Sequence, residues 1–311
     1  MSKPQPLMVY RAAALGFFTA CLLFWLVLCT LFIARRAKNV DRVPSPADNY
    51  NSRRQRVCYG QGHRRIACLY AYYEKNEAYK SNFEHFLKHG ILPHVHYYII
   101  INGDSTVRIP VLENLEILRR KNVGFDFGAY NDVLSYANMA CFDYVFFINT
   151  SVCGPYLERV PSKDWTQPFI NLFLEDASTA LVGTSINVFK GGHPHLLPGD
   201  RKKRLHPHVQ SMFFCLKHES LQFLLGKHTF HVEKSDTMRS IIGRIEIGMS
   251  YTILSNGWNI NCVLPGYRGL DYRNIRSNPN PSGSDPYLRG SYFGKTIQRE
   301  DVIFFKTNRN L

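Results

Sequence analysis

The residues best suited to bind a ligand lie in two short segments, 122–130 (NVGFDFGAY) and 149–155 (NTSVCGP). The first is a glycine-punctuated polar loop that leads into an amphipathic helix. The second follows an apolar stretch, residues 144–148, that is typical of a buried strand. Ligands of open α/β sheets bind beyond the carboxyl ends of strands, where polar residues of this kind collect. The two segments therefore predict a binding site built by a strand end and a helix start.

Asp126 is the first candidate for ligand contact. It follows Gly124 at the start of the predicted helix, where a carboxylate can accept hydrogen bonds from a ribose or a base. Gly124 and Gly128 allow the backbone to approach a ligand closely, because neither has a side chain. Asn122 opens the same loop and belongs to the same candidate site. The alternative is that Asp126 is only the N-cap of the helix.

The order of these segments resembles nucleotide-sugar glycosyltransferases of the GT-A type. In those enzymes an Asn-x-Gly loop opens a helix, and the next strand delivers Asp-x-Asp to the sugar diphosphate. Residues 149–151 (Asn-Thr-Ser) stand where Asp-x-Asp would be. With this departure the chain resembles the rhamnan synthesis protein F family, whose pattern is Gly-x-Asp-Phe-Gly-Ala followed by Asn-x-Ser-x-x-Gly-Pro. The resemblance covers residues 65–309 and implies a GT-A-like, Rossmann-like fold.

The resemblance raises the question of a metal ion. Such transfers stabilise the departing diphosphate, usually with Mg²⁺ or Mn²⁺ on carboxylates. Asn149 and Ser151 lack the negative charge that holds a hard cation. Either phosphates and Asp126 hold the metal, or cationic side chains replace it. Lys306 and Arg309 match the family's closing Phe-x-Lys-Thr-Asn-Arg and would clamp the diphosphate; the alternative is that both are only solvated.

The resemblance also implies a general base and an acceptor side. Inverting enzymes of this fold carry an acidic residue at the head of a helix, within reach of the acceptor hydroxyl. Glu246 opens the predicted helix 246–254, although the family often has Glu-Asp where this chain has Glu-Ile. The alternative is a solvent-facing glutamate favoured by the helix dipole. His208 and Gln210 match the family's acceptor-side segment, or else they cap the edge of a strand.

Strands and helices alternate along the folded part, which predicts a mostly parallel α/β sheet flanked by helices. Continuous apolar runs indicate strands that are buried on both faces. Strands are predicted at residues 66–73, 96–102, 115–118, 144–148, 180–183 and 209–216, and helices at 76–89, 127–139 and 246–254.

The 311 residues divide into a tail (1–11), an anchor (12–34), a stalk (35–64) and one folded domain (65–311). The anchor has 23 residues without a charge, which is about 34 Å as a helix and enough to span a bilayer. A signal peptide has a shorter apolar core and a small-residue cleavage site. The sequence therefore predicts one uncleaved transmembrane helix before the domain.

Two arguments about membrane orientation conflict. More Lys and Arg follow the predicted span than precede it, which alone would put the large domain in the cytosol. Golgi glycosyltransferases, by contrast, have a short cytoplasmic tail and a lumenal catalytic domain. The prediction is a single-pass type II protein of the Golgi, with the cytosol-facing orientation left open.

Half of the formal net charge of +14 is concentrated beside the predicted anchor. Residues 35–65 hold nine Lys or Arg against two Asp. Such a segment, without an apolar period, is typical of a disordered spacer that binds anionic lipid headgroups or only stays solvated. Nucleic acid is not the expected partner, because the excess charge does not lie on a folded face.

Together these features predict a membrane-anchored glycosyltransferase. It would transfer a sugar, a deoxyhexose such as rhamnose, from a nucleotide-sugar donor to a glycan or glycoconjugate acceptor, with inversion. The alternative is a non-catalytic, membrane-anchored glycan-binding protein that has kept the fold and lost the metal motif. The missing Asp-x-Asp favours the alternative, whereas Asp126, Glu246 and the cationic tail together favour the enzyme.

Overall fold

A computed structural model describes residues 64–158, 160–196 and 205–308. The predicted tail, anchor and stalk lie outside these residues, apart from residue 64. Within the described ranges, no helix has the length and the apolar character that crossing a bilayer requires.

The described strands and helices alternate along the chain. The strands are β1 (Ile66–Tyr72), β2 (Val95–Asn102), β3 (Leu115–Arg120), β4 (Tyr144–Asn149), β5 (Val152–Cys153), β6 (Thr179–Gly183), β7 (Ile186–Lys190), β8 (Leu205–Val209), β9 (Phe213–Lys217), β10 (Asn259–Cys262) and β11 (Phe305–Lys306). The helices are α1 (Glu77–His89), α2 (Phe125–Tyr136), α3 (Gln167–Glu175), α4 (His218–Gly226), α5 (Met238–Ile241) and α6 (Gly248–Ser255), and a π-helical segment (Ile242–Ile247) joins α5 to α6.

Seven of these strands form one sheet in the order β10-β6-β9-β4-β1-β2-β3. Neighbouring strands pair in parallel, except that β9 is antiparallel to both β4 and β6. Every residue of β1 and β2 is buried, as expected of parallel strands covered on both faces. The prediction of a mostly parallel α/β sheet is confirmed.

The local signals at the first helix explain its bounds. Asn76 caps α1, since its side chain accepts a 3.0 Å hydrogen bond from the backbone N–H of Tyr79. At the other end the N–H of Gly90 donates to Phe86 O at 2.7 Å. Buried aromatic side chains of α1, such as Phe83 and Phe86, then pack on β1 through Tyr70. The helix therefore follows the capping rules that its sequence signals.

The strand order has one feature that decides where a ligand can bind. β1 lies between β2 and β4, so the chain leaves β1 in one direction and later returns to its other side. In open α/β sheets the crevice at such a reversal, outside the carboxyl ends of the strands, is the usual binding site. The fold therefore points to the ends of β1, β2 and β4.

The prediction of one strand over residues 209–216 is wrong. The chain turns at residues 210–212, and β8 pairs with β7 in a separate two-stranded sheet. The polar side chain of Gln210 is buried in this turn, where it accepts a 2.7 Å hydrogen bond from Ser185 Oγ. Residues 210–212 include only two polar residues between apolar ones, so the sequence pattern alone does not show the turn.

The predicted start of a helix at Glu246 is also wrong. The helix begins eight residues earlier at Met238, where Thr237 accepts a 3.2 Å hydrogen bond from Ser240 N. An ion pair between Arg244 and Asp236 joins the first turns to the preceding loop. Glu246 therefore lies in the middle of a continuous helix, within its π-helical segment.

Candidate functional site

A cavity of about 270 Å³ opens at the carboxyl ends of β1, β2 and β4. Ala71, Asn102 and Asn149 mark these strand ends, and all three line the cavity. Helix α2 contributes Asp126 from a second side, and the π-helical segment contributes Glu246 from a third. The cavity thus occupies the crevice at which the strand order reverses.

Asp126, Asn149 and Ser151 form one hydrogen-bonded chain in this cavity. Asn149 Nδ2 donates to Asp126 Oδ2 at 2.6 Å. Asn149 Oδ1 accepts from the backbone N–H of Ser151 at 3.0 Å and from its hydroxyl at 2.6 Å. These contacts orient the Asn149 amide, because its oxygen receives the two serine donors and its nitrogen faces the carboxylate. The structure thus brings together three residues that the sequence named separately.

The Asp126 carboxylate is in an unfavourable place for a negative charge. Burial raises the pKa of Asp126, the negative charge of Glu246 raises it further, and the hydrogen bond from Asn149 opposes both effects. Asp126 is not the N-cap of α2, which is Gly124, and no side-chain hydrogen bond among the described residues caps the helix. Asp126 Oδ1 accepts a 3.1 Å hydrogen bond from the N–H of the next residue, Phe127. The alternative that Asp126 serves as the helix cap is wrong.

The two glycines of the loop shape the site without lining it. Gly124 has a φ of 73°, which residues other than glycine rarely adopt. A Cβ on Gly128 would lie 2.1 Å from Val123 O, so α2 packs against its own entry loop only without a side chain there. Asn122 and Phe125 of the same loop do line the cavity. Phe125 has a φ of 56°, a strained conformation for this residue type.

Arg120, which no sequence motif indicated, holds this loop. Its guanidinium donates to Val123 O at 2.8 Å, to Asn102 Oδ1 at 2.6 Å and to Asp132 Oδ2 at 2.6 Å. Asn102 in turn donates to Phe125 O at 3.4 Å. The sequence does place Arg119 and Arg120 just before the glycine loop. The three acceptors of the Arg120 guanidinium, however, become visible only in the folded structure.

Glu246 faces the cavity opposite the strand ends. Its side chain is 16% exposed, and Ser211 contacts Glu246 Oε2 through both its hydroxyl and its backbone N–H, the latter at 3.2 Å. A solvent-facing glutamate in a first helical turn is therefore the wrong description. π-helical segments occur frequently at functional sites, where the wider turn changes the direction of a side chain.

The two predicted acceptor-side residues lie behind the cavity wall. His208 is 1% exposed, and its Nε2 is 3.8 Å from Glu246 Oε1. Burial lowers the pKa of His208, partly offset by the charge of Glu246. Gln210 is also buried and donates to Asp285 Oδ2 at 3.2 Å. Neither residue lines the cavity, so any effect on a ligand acts through neighbouring residues such as Glu246.

The C-terminal segment closes one side of the cavity. β11 pairs antiparallel with β5, which sets Lys306 opposite Val152, and Lys306 lines the cavity. The N–H of Thr307 donates to Ser151 O at 2.9 Å. Asn82 of α1 donates to Thr307 Oγ1 at 2.8 Å and so secures the segment from behind. Arg309, the other predicted cation, lies outside the described residues.

The residues present do not fit a metal centre held by protein side chains. The Asn149 oxygen already accepts two hydrogen bonds, and Asp126 Oδ2 accepts one. Across the described ranges, no group of three or more His, Cys, Asp or Glu side chains is placed to hold a metal ion. Two carboxylates, Asp126 and Glu246, line the cavity from different elements, so a hard cation there would need further ligands such as the phosphates of a donor.

No protein-family model matches the chain, and no curated protein matches it. Among solved structures, it resembles the mannosyltransferase PcManGT from Pyrobaculum calidifontis in complex with GDP-Man and Mn²⁺, at 11% identity and a TM-score of 0.39 over 69% of this chain and 61% of that chain. It also resembles S. aureus TarS 1-349 in complex with UDP-GlcNAc, at 12% identity and a TM-score of 0.38 over 74% of this chain and 63% of that chain. The chain spans less than two thirds of either structure, and likeness at this level carries no argument about the site.

Proposed function

We propose that this chain is a glycosyltransferase that transfers a sugar from a nucleotide-sugar donor to a glycan or glycoconjugate acceptor. The observation that carries the proposal is the cavity at the reversal of strand order, with Asp126 and Glu246 facing it from different helices. A nucleotide fits this crevice, because parallel strands end there and their polar residues face the ligand.

The donor occupies the side of the cavity formed by Asp126, Asn149 and Ser151. Each oxygen of the Asp126 carboxylate can accept more than one hydrogen bond, so both can bind donor hydroxyl groups in addition to their present partners. Asn122 and Phe125 contribute the loop wall. Lys306 supplies positive charge for the diphosphate, and Arg309 follows in the same segment of the sequence. Cationic side chains suit this task, because they form strong charge-assisted hydrogen bonds to phosphate oxygens.

Glu246 acts as the general base on the acceptor side. The acceptor hydroxyl gives its proton to the Glu246 carboxylate while its oxygen forms a bond to the anomeric carbon. The bond from that carbon to the diphosphate breaks, and the departing electron pair stays on the diphosphate oxygen. One carboxylate is sufficient for this displacement, which inverts the anomeric centre.

The finer parts of the proposal rest on the sequence. The match of residues 122–130 and 149–155 to the rhamnan synthesis protein F pattern supports a deoxyhexose donor such as rhamnose. The uncharged run at residues 12–34 supports a single membrane anchor and a type II orientation in the Golgi. A divalent metal is the alternative to the cationic side chains, and it would be held mainly by the donor's phosphates and Asp126.

Donor screening tests the proposal directly. The full chain, purified in detergent, is mixed with a panel of nucleotide sugars, and its melting temperature and sugar transfer to glycan acceptors are measured. A donor at 100 times its dissociation constant stabilises the fold by about 2.7 kcal/mol. We expect one donor class to raise the melting temperature and to be turned over. Stabilisation by free glycans alone, without transfer from any donor, would instead support the non-catalytic glycan-binding protein.

A further inference from the structure

The Glu246 carboxylate receives two hydrogen bonds from one residue on another element. Both donors of Ser211, its hydroxyl and its backbone N–H, contact the same oxygen, Oε2. The other carboxylate oxygen, Oε1, has His208 Nε2 at 3.8 Å. We propose that Ser211 is a positioning residue that fixes the Glu246 carboxylate in the orientation in which it receives the proton of the acceptor hydroxyl. This inference rests on the proposed function and assigns Ser211 a part in it.

The helix that carries Glu246 does not by itself fix the carboxylate. The π-helical segment sets the position of the Cα atom and the direction of the side chain, but a glutamate keeps three rotatable bonds beyond it. Ordering such a side chain costs conformational entropy. Two donors on one oxygen select one orientation, because a rotated carboxylate would lose both hydrogen bonds together.

Ser211 can hold Glu246 because its own turn is held on both sides. The N–H of Gln210 donates to Ser185 O at 3.2 Å, and Ser185 Oγ donates to Gln210 Oε1 at 2.7 Å. On the other side, the N–H of Asn149 donates to Met212 O at 3.1 Å. The turn is therefore tied to the end of β4, the strand that carries the donor-side residues. Ser211 itself is 9% exposed.

Charged groups near Glu246 do not take over the orienting role of the two hydrogen bonds from Ser211. Among the described residues, and apart from the tyrosines Tyr73 and Tyr79, three other titratable side chains face Glu246 or its cavity: Asp126, His208 and Lys306. Asp126 is negative when ionised, so it repels the Glu246 carboxylate. Lys306 lies on β11, a separate element from the helix that carries Glu246. Burial lowers the pKa of His208, and the charge of Glu246 partly offsets this effect. The Nδ1 atom of His208 lies 3.0 Å from His206 O, and its Nε2 lies 3.8 Å from Glu246 Oε1, which is too far for a hydrogen bond.

Kinetics of Ser211 variants in the full chain give the first test. We expect Ser211→Ala to lower kcat by about 10- to 100-fold, the effect of losing a hydrogen bond to a charged group. The KM for the donor should not change, because the donor side keeps all its contacts. Ser211→Thr keeps the hydroxyl and should recover most of the rate. Ser135→Ala, at an exposed serine near the end of α2, is the control and should behave as wild type.

A second variant shows whether Ser211 acts through Glu246. In a chain that already carries Glu246→Gln, adding Ser211→Ala should cause little further loss of kcat, because residues that act as a unit are not additive. An equal fold-loss in both backgrounds would overturn the inference. So would a rise in donor KM with kcat unchanged.

The contact is also measured without any turnover. Melting temperatures of Ser211→Ala, Glu246→Ala and the double variant form a double-mutant cycle. We expect the double variant to lose less than the sum of the single losses, whereas strictly additive losses would contradict the inference. The double-mutant cycle could show coupling while the wild-type protein transfers no sugar from any donor. That result would support the hold of Ser211 on Glu246 and overturn the proposed function instead.

Discussion

Asn149 at the end of β4 donates a 2.6 Å hydrogen bond to Asp126 in the first turn of α2. The two residues are 23 positions apart in the chain, and this bond joins the strand end to the glycine loop. It also explains why Asn rather than Asp stands at position 149. A second carboxylate there would repel Asp126, whose pKa burial already raises, whereas an amide donates a hydrogen bond to it.

Asp126→Asn should change donor affinity and thermal stability in opposite directions near pH 7. Burial raises the pKa of Asp126 in the folded protein above its value in the unfolded chain. The folded state is therefore destabilised as the pH rises from the unfolded-state pKa of Asp126 through its folded-state pKa. The variant should therefore melt higher than wild type near pH 7, by about 2–4 °C for each kcal/mol removed, and close to wild type at about pH 3. Donor affinity should fall. Asp104→Asn, in an exposed loop, should change neither. An Asp126→Asn variant that melts lower than wild type at every pH would contradict the burial argument.

Glu246→Gln tests the general base. The amide keeps the size of the side chain and removes the proton acceptor, so turnover should fall by about 10² to 10⁴. Donor affinity, measured by titration calorimetry, should stay nearly unchanged. Glu219→Gln, at an exposed glutamate in the first turn of α4, provides the control. Near wild-type transfer by Glu246→Gln would make Glu246 a structural residue, and the base would then have to be another residue.

Chelation tests the metal argument. Since Asn149 and Ser151 replace carboxylates and already bond to each other, we expect EDTA to reduce transfer only partly. The measurement is the initial rate with saturating donor, before and after dialysis against EDTA. Complete loss that micromolar Mn²⁺ restores would show a tightly held metal and make Asp126 its first candidate ligand.

Gly128→Ala tests the packing of the glycine loop. The added Cβ would lie 2.1 Å from Val123 O and 3.2 Å from Arg120 Nη2, so α2 must shift. Overpacking of this kind costs about 1–3 kcal/mol, and thermal unfolding should show it together with weaker donor binding. Gly226→Ala is the matched control in α4, because nothing lies within 4 Å of its Cβ position. It should melt at or slightly above the wild-type temperature.

Protease protection tests the predicted topology. Residues 12–34 predict one span, and a type II orientation encloses residues 65–311 in sealed microsomes. Added protease should then leave the domain intact until detergent opens the membrane. Digestion without detergent would place the domain in the cytosol, as the excess of Lys and Arg after the span allows.

The sequence by itself determined the fold class and the region of the site. Alternating apolar strands and amphipathic helices have few ways to bury both faces of a sheet, so the parallel arrangement followed from local patterns. The carboxyl ends of parallel strands meet at one edge, and the polar residues after residue 148 and around residue 124 therefore mark the edge at which the cavity opens. These conclusions depend only on spacing and residue type, which can be read directly from the sequence.

Only the tertiary structure decided how the site residues act on one another. The start of the helix at Met238 rather than Glu246 depends on Thr237 and on the ion pair between Asp236 and Arg244, while the isoleucine-rich sequence fits several helix starts. The contact between Ser211 and Glu246 joins residues 35 positions apart. Burial and hydrogen bonding are sums over several packed elements, so no local pattern encodes them.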